Sequence, residues 1–264
     1  MTGVQTCALP IYRPAAEWGA EFNALLSKHG MQHVAATVLL PRHEVILRQI
    51  SLPGVSDKDL DAAVSFQLDG LHPYNEADVL SAYARLEGSG AVAVAIARRE
   101  LVEGYTTLFA EAGVKLAGFT ASGVAMHSAL RLYGTKPSAN VFAVQQTDRG
   151  LEVYGESAAK PLLSATFELT GDSGLQRAQH LAAAELRFEE VIAPMAFGEL
   201  LHGEPALPFA AALSSACPWL SSRLNLLPED QRVVRSPWQW VPTVALTAAV
   251  VLAGVGLQIG RAHV

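Results

Sequence analysis

Histidines and one cysteine are the first residues of this 264-residue chain to consider for chemistry. His29 and His33 have the spacing of two metal ligands on one helical turn, but Gly30 lies between them and no third ligand is evident. We therefore expect both to be surface histidines in a loop. Cys217 lies in an apolar stretch without a histidine nearby, which indicates a packed thiol rather than a nucleophile.

Paired carboxylates and single histidines give no clearer catalytic pattern. The pairs Asp57/Asp59 and Glu189/Glu190 predict a helix cap and a solvated helix end rather than an acid–base pair. His127 and His180 fall on predicted helices, where we expect them at the edge of the core. Neither common glycine-rich phosphate loop occurs in the sequence. We predict no catalytic residue and no metal site.

The overall composition excludes further classes of function. The formal net charge is −6, and there is no run rich in lysine and arginine, which argues against a nucleic-acid partner. Two cysteines give no disulfide framework, which is typical of a reducing compartment. Half of the residues are hydrophobic, enough for a full core.

The elements that would position these residues alternate between strands and helices in the first half of the chain. This alternation predicts an α/β fold. The stretch "AVAVAIA" is apolar at every position, which is typical of a strand covered on both faces. Strands are predicted at 34–40, 44–50, 91–97 and 114–119, and helices at 18–26, 56–71 (capped by Ser56), 101–109 and 122–133.

After a joint at 134–140, the pattern changes to strands in quick succession. Residues 163–169 alternate strictly between apolar and polar, as expected for a half-buried strand in an antiparallel sheet. The second half is predicted to contain strands at 141–144, 151–154, 163–169 and 191–193, and helices at about 174–188 and 208–217.

The most apolar run of the chain lies near its end. Residues 241–257 are uncharged and mostly apolar, which reaches the short end of the range for a membrane helix, about 17 residues. Trp238 and Trp240 immediately precede the run, and Arg232 and Arg235 lie just outside them. This order predicts a single-pass transmembrane helix at 241–258 with the preceding chain in the cytoplasm. A buried core helix is the alternative.

The two ends of the sequence look foreign to the rest. Residues 1–11 and 259–264 resemble the translation of a common sequencing adapter in its two orientations. We therefore expect 12–258 to be the natural part, cut at both sides, and leave the ends out of the fold.

Residues 40–86 resemble the PilM family of type IV pilus assembly proteins. The shared features are Leu52-Pro53, Ser56, Phe66-Gln67 and Pro73-Tyr74. Residues 105–130 are similar to the helix–strand–helix that follows in that family. The resemblance covers nearly all of 12–222. It implies a two-lobed actin-like (ribonuclease-H-like) cytoplasmic domain, incomplete at its N-terminus, with a first part at 12–135 and a second part at 136–222.

The same resemblance places the second phosphate loop of that fold near 140–150. Family members have an Asp followed by Gly after the strand, whereas this sequence has Ala143 and Gln145, with Asp148 as a shifted replacement or a turn residue. Without the family's Asp, no carboxylate is available for Mg²⁺. The resemblance therefore implies a degenerate ATP site, as in the actin-like part of GspL proteins of type II secretion. We expect no cofactor, with ATP and Mg²⁺ as the alternative.

The stretch "LNLLP" resembles a different protein type, the cytoplasmic start of PilN. Its residues here are Leu224, Asn225, Leu226, Leu227 and Pro228. In that system the segment docks as an extended peptide in a groove of PilM, with apolar side chains in pockets and the asparagine amide on backbone groups. The chain is thus similar to a PilM–PilN fusion in a GspL-like arrangement, with a docking segment and linker at 223–240. Docking on the same copy and on a neighbouring copy are both open.

These resemblances imply an inner-membrane assembly-platform protein of a type IV pilus or a type II secretion system. The expected partners are PilN/PilO-like platform proteins, the assembly ATPase, the membrane and a second copy in a homodimer. Two alternatives remain: an actin-like ATPase whose nucleotide state regulates assembly, and a small-molecule kinase on the same fold. The kinase would need a catalytic carboxylate in the cleft.

Overall fold

A computed structural model describes residues 13–32, 34–86, 90–133, 141–147, 150–189, 206–216 and 224–232. All of them belong to one unit of the chain, which extends to Arg232. Several of the predictions lie outside the described residues: those for His33, Asp148, Glu190, Cys217, Arg235, Trp238, Trp240, the strand at 191–193 and the span at 241–258.

The first half of the chain alternates strands and helices, as the sequence predicts. Its elements are α1 (Ala15–Lys28), β1 (Ala36–Leu40), β2 (Val45–Ser51), α2 (Leu60–Leu68), β3 (Val79–Arg85), β4 (Ala91–Arg98), α3 (Arg99–Glu111), β5 (Leu116–Ala121) and α4 (Ser122–Tyr133). Strands β2, β4 and β3 form an antiparallel sheet in that order, and β1 pairs with β5 in parallel.

Strand β4 is buried on both faces, which confirms the prediction from its continuous apolar sequence. The alanines at 91, 93, 95 and 97 pack into one hydrophobic cluster together with Val102 of α3. Val92, Val94 and Ile96 face the opposite way and pack with Leu60 and Val64 of α2. The alternation of small and large side chains thus assigns a different neighbour to each face of the strand.

Two predictions for the first half were wrong. Strand β3 was missed because it is an edge strand of mostly half-buried residues that lack a strong apolar alternation. Helix α2 begins at Leu60, not next to Ser56. The Ser56 hydroxyl accepts the Asp59 N–H at 3.3 Å and donates to its carboxylate at 2.6 Å. Ser56 therefore stabilises a turn before the helix rather than the helix end itself.

The second half contains the predicted antiparallel sheet. Strands β6 (Val141–Thr147), β7 (Gly150–Glu156) and β8 (Leu163–Phe167) are adjacent in sequence order, followed by helices α5 (Gly171–Leu186) and α6 (Ala206–Ala216). Leu163, Ala165 and Phe167 of β8 pack against the apolar face of α5, as the alternation predicts. Within the part of the chain that the structure describes, no helix is both long and apolar enough to span a membrane.

Candidate docking site on the edge of strand β5

Strand β5 has one edge paired with β1 and a second edge that needs other partners. Ala117 C=O, Phe119 N–H and Phe119 C=O point along this second edge, since alternate residues of a strand direct their backbone groups to the same side. Residues 225 and 226 of the same chain bond to all three groups. The "LNLLP" segment therefore covers the edge of β5.

The side-chain amide of Asn225 carries most of this contact. Its Nδ2 donates to Ala117 O at 3.1 Å, and its Oδ1 accepts the Phe119 N–H at 3.0 Å. One residue of a neighbouring parallel strand would use its backbone N–H and C=O in the same way. The main chain then joins the edge, because Leu226 N–H donates to Phe119 O at 2.9 Å.

Asn225 also fixes the conformation of the segment itself. Its Oδ1 accepts a second hydrogen bond, from Leu227 N–H at 3.1 Å. An asparagine side chain bonded to the backbone two residues ahead forms a tight local turn. The same amide therefore holds the segment against β5 and bends it so that Leu226 and Leu227 both turn inward.

Gly118 is a site residue that the sequence reasoning missed. A Cβ at this position would lie 2.5 Å from both Asn225 Oδ1 and Asn225 Nδ2. The φ angle of Gly118 is not in the left-handed region, so the requirement is for space rather than for an unusual backbone. An isolated glycine within a strand is a known indication of close approach by another group, and "VKLAGF" contained it.

The three leucines of the segment are part of the core. Leu224, Leu226 and Leu227 are almost fully buried, and they pack in the same cluster as Leu40, Phe119 and the alanine face of β4. Burying one leucine contributes about 1.5–3 kcal/mol before ordering costs. The segment is thus an integral layer of this lobe, and its removal would expose the core.

Beyond Leu227, the chain folds back on the segment. Pro228, half-buried, precedes a short 3-10 helix at Glu229–Gln231. Arg232 then donates from Nε to Leu227 O at 2.7 Å and from Nη2 to Asn225 O at 3.2 Å. Arg232 was predicted as a residue of the membrane interface. The structure places its guanidinium on the carbonyls of the docked segment.

Ala143 of the predicted nucleotide loop lies in a different hydrophobic cluster from the docking segment. Ala143 of β6 is fully buried with Met126 and Tyr154. Gln145 pairs with Glu152 of β7 in the strand register. Burial raises the pKa of the Tyr154 phenol, and the charge of the neighbouring Glu152 raises this pKa further. The structure therefore does not bring Ala143 together with the docking segment.

The remaining candidates for chemistry have structural roles. Asp57 forms an ion pair with Arg85 at 2.7 Å. Within the described ranges, no group of three or more His, Cys, Asp or Glu side chains is arranged to hold a metal ion. The prediction of both histidines at the core edge was wrong, since His180 is exposed and His127 is buried. The buried His127 ring has polar partners, since Nε2 lies 3.0 Å from Pro161 O and 3.2 Å from Glu156 Oε2.

Comparison with known proteins gives structural but not sequence relatives. No protein-family model matches the chain, and no curated protein matches it significantly in sequence. The cytoplasmic domain of EpsL, an inner-membrane component of the type II secretion system of Vibrio cholerae, is 14% identical with a TM-score of 0.50. That match covers 80% of this chain and 84% of the EpsL chain.

Two further solved structures are similar at lower scores. A chain of a PilM-PilN type IV pilus biogenesis complex is 19% identical with a TM-score of 0.49, over 78% of this chain and 57% of that chain. A Bacteroides thetaiotaomicron protein with an actin-like ATPase fold and unknown function is 12% identical with a TM-score of 0.39, over 70% and 71%. This chain thus spans little more than half of the PilM-PilN chain. At these identities the likeness shows the fold alone: the described unit shares the fold of the EpsL cytoplasmic domain.

Proposed function

We propose that this chain is the cytoplasmic actin-like part of an inner-membrane assembly platform, of the type IV pilus or type II secretion kind. Support comes from the fold shared with the EpsL cytoplasmic domain, a component of such a platform. The observation that carries the proposal is the docking of Leu224–Leu227 on β5 of the same chain. The domain thereby holds the segment that leads toward the predicted membrane span at 241–258.

A scaffold of this kind would act by passing a conformational change from one part of the assembly to another, not by catalysing a reaction. The docking segment is anchored by three hydrogen bonds to β5 and by three buried leucines, so the chain after Arg232 starts from a fixed point on the lobe. A rearrangement of β5 would move that point directly. The docked segment is therefore suited to couple cytoplasmic partners, such as PilN/PilO-like proteins or an assembly ATPase, to the membrane helix.

The proposal includes membrane attachment through 241–258, which cell fractionation tests. The chain and a version ending at Arg232 should be expressed in a Gram-negative host, and the membranes washed with alkaline carbonate. We expect the longer chain to remain in the inner membrane and the shorter one to be released. Recovery of the longer chain in the soluble fraction would overturn the platform proposal.

The proposal also includes a role without ATP hydrolysis. Its support is the position of Ala143, a buried methyl group where the PilM pattern has a carboxylate for Mg²⁺. Isothermal titration calorimetry of the detergent-solubilised chain with ATP in the presence of Mg²⁺ measures nucleotide binding and tests this part of the proposal. We expect no binding at micromolar ATP. Micromolar affinity together with phosphate release would instead support the actin-like ATPase.

A further inference from the structure

Arg232 donates hydrogen bonds to two backbone carbonyl oxygens of the docked segment that accept no other described hydrogen bond. Its Nε donates to Leu227 O at 2.7 Å, and its Nη2 donates to Asn225 O at 3.2 Å. The same two residues hold the segment in place, Asn225 through its amide on β5 and Leu227 through its fully buried side chain. One guanidinium thus spans both anchoring residues.

The geometry suits arginine in particular. Guanidinium N–H groups form a rigid planar fork that can reach two acceptors at once, whereas a lysine ammonium is a compact point charge on a flexible stem. Hydrogen bonds from a charged donor are stronger than neutral ones. The two carbonyls are therefore joined by a single rigid group, which fixes the bend after Leu227.

The neighbouring ion pair contributes much less to this arrangement. Arg232 Nη1 lies 3.3 Å from Glu229 Oε1, but the Glu229 side chain is 90% exposed and that of Arg232 is 27% exposed. Ion pairs open to water on one side are weakened by solvent and salt. The contacts with the two carbonyls, rather than the contact with Glu229, account for the position of Arg232.

We propose that Arg232 is a latch that closes the docked segment onto β5, so the functional docking unit is Leu224–Arg232 rather than "LNLLP" alone. Arg232 is also the residue from which the chain continues toward the predicted span. A pull on the following chain would act first on its two hydrogen bonds and, through them, on Asn225 and Leu227. This coupling role rests on the proposed membrane-platform function, but the latch itself does not.

Amide hydrogen exchange of the detergent-solubilised chain tests the latch. The informative amides are Phe119, Leu226 and Leu227. Phe119 N–H donates to the docked segment, Leu226 N–H donates from the segment to β5, and Leu227 N–H donates within the segment. We expect Arg232→Ala to speed exchange at these amides about tenfold or more. Arg232→Lys should rescue it only in part, because the ammonium lacks the fork. Glu229→Ala is the matched control and should leave exchange unchanged.

The rate of amide exchange in α5 distinguishes a local effect of Arg232→Ala on the docked segment from a general loss of stability. Ala182 and Ala183 are buried in the other half of the molecule and serve as reporters. Unchanged exchange at Phe119 and Leu227 in Arg232→Ala would overturn the latch, and so would an equal acceleration at Ala182 and Ala183. Fractionation of the same variant keeps the two proposals apart. If the chain is found in the soluble fraction but Arg232→Ala still speeds exchange at the Phe119 amide, the platform proposal is contradicted and the latch is not.

Discussion

The side-chain amide of Asn225 lies directly on the backbone of Gly118. A Cβ at residue 118 would approach both amide heteroatoms of Asn225 to 2.5 Å, well inside any contact that real side chains make. This close approach lets the amide reach Ala117 C=O and Phe119 N–H on either side of the glycine. Gly118 and Asn225 therefore act together in docking: the glycine leaves the space, and the amide fills it and bonds to the strand.

Replacing Asn225 should loosen the segment. Asn225→Ala leaves Phe119 N–H and Ala117 C=O without partners at a half-buried edge, and each such group costs about 1–3 kcal/mol. We expect the urea midpoint to fall and exchange at Phe119 to accelerate. Asn75→Ala is the control, because its amide bonds only to the exposed Asp78 carboxylate at 3.0 Å. Equal stability of both variants would contradict the role of Asn225.

Gly118→Ala should displace the segment from β5 by steric conflict. We expect destabilisation of about 1–3 kcal/mol, the usual range for overpacking. Gly104→Ala in α3 is the matched control, since a Cβ there meets no atom within 4 Å. It should be neutral or stabilising, because alanine favours helix over glycine.

A double-mutant cycle then tests whether the two residues act together. Once Asn225 is alanine, the amide that a Cβ at residue 118 would strike is gone. Gly118→Ala should therefore cost less in the Asn225→Ala background than in the natural chain. Additive losses would show that the conflict at residue 118 lies elsewhere.

Truncation of Leu227 tests whether the segment belongs to the core. Its side chain is fully buried, so Leu227→Ala should lower the free energy of unfolding by about 2–5 kcal/mol. Leu25→Ala provides the comparison, because Leu25 is 51% exposed and should lose much less. Chemical denaturation measures both. A small effect at Leu227 would mean that the segment packs loosely on the lobe.

Arg42 connects the β1–β2 turn to β8 and should stabilise the contact between the two halves. Its Nε and Nη2 donate to Ser164 Oγ and Ser164 O, both at 3.0 Å, and Nη1 donates to Val45 O at 3.1 Å. Arg42→Ala should cost about 2–4 kcal/mol, given about 1.5–3 kcal/mol for a hydrogen bond to a charged group. Arg48→Ala, which removes one long 3.4 Å bond to Leu71 O, should cost little. Similar unfolding midpoints for both variants would contradict this role.

Tyr154 should make the chain sensitive to alkali. Burial raises the pKa of its phenol above the ordinary value of 10.0, so the folded chain keeps a proton that the unfolded chain loses above that pH. The free energy of unfolding must then fall as pH rises past about 10, by up to about 1.4 kcal/mol per pH unit. Tyr154→Phe should flatten this slope in denaturation at pH 9 to 11. Tyr74→Phe, at an exposed tyrosine, is the comparison. If Tyr154→Phe leaves the slope of unfolding free energy against pH unchanged, the Tyr154 phenol is not the cause of the alkali sensitivity.

The local pattern of the sequence predicted much of the fold. Continuous apolar residues identified β4 as covered on both faces, and strict alternation identified the buried face of β8. Such periodicities reflect a residue's own strand or helix and need no knowledge of distant partners. Strand β3 escaped because an edge strand of half-buried residues has no strong periodicity.

The sequence by itself pointed to a candidate docking segment, through the resemblance of "LNLLP" to the start of PilN, and it placed a glycine inside β5. Only the tertiary structure decided that the segment lies on β5 and that the amide of Asn225 needs the space at Gly118. The physical reason is separation along the chain: Asn225 and Phe119 are 106 residues apart, and their hydrogen bond exists only after the sheet has formed. No local spacing encodes a contact over that distance.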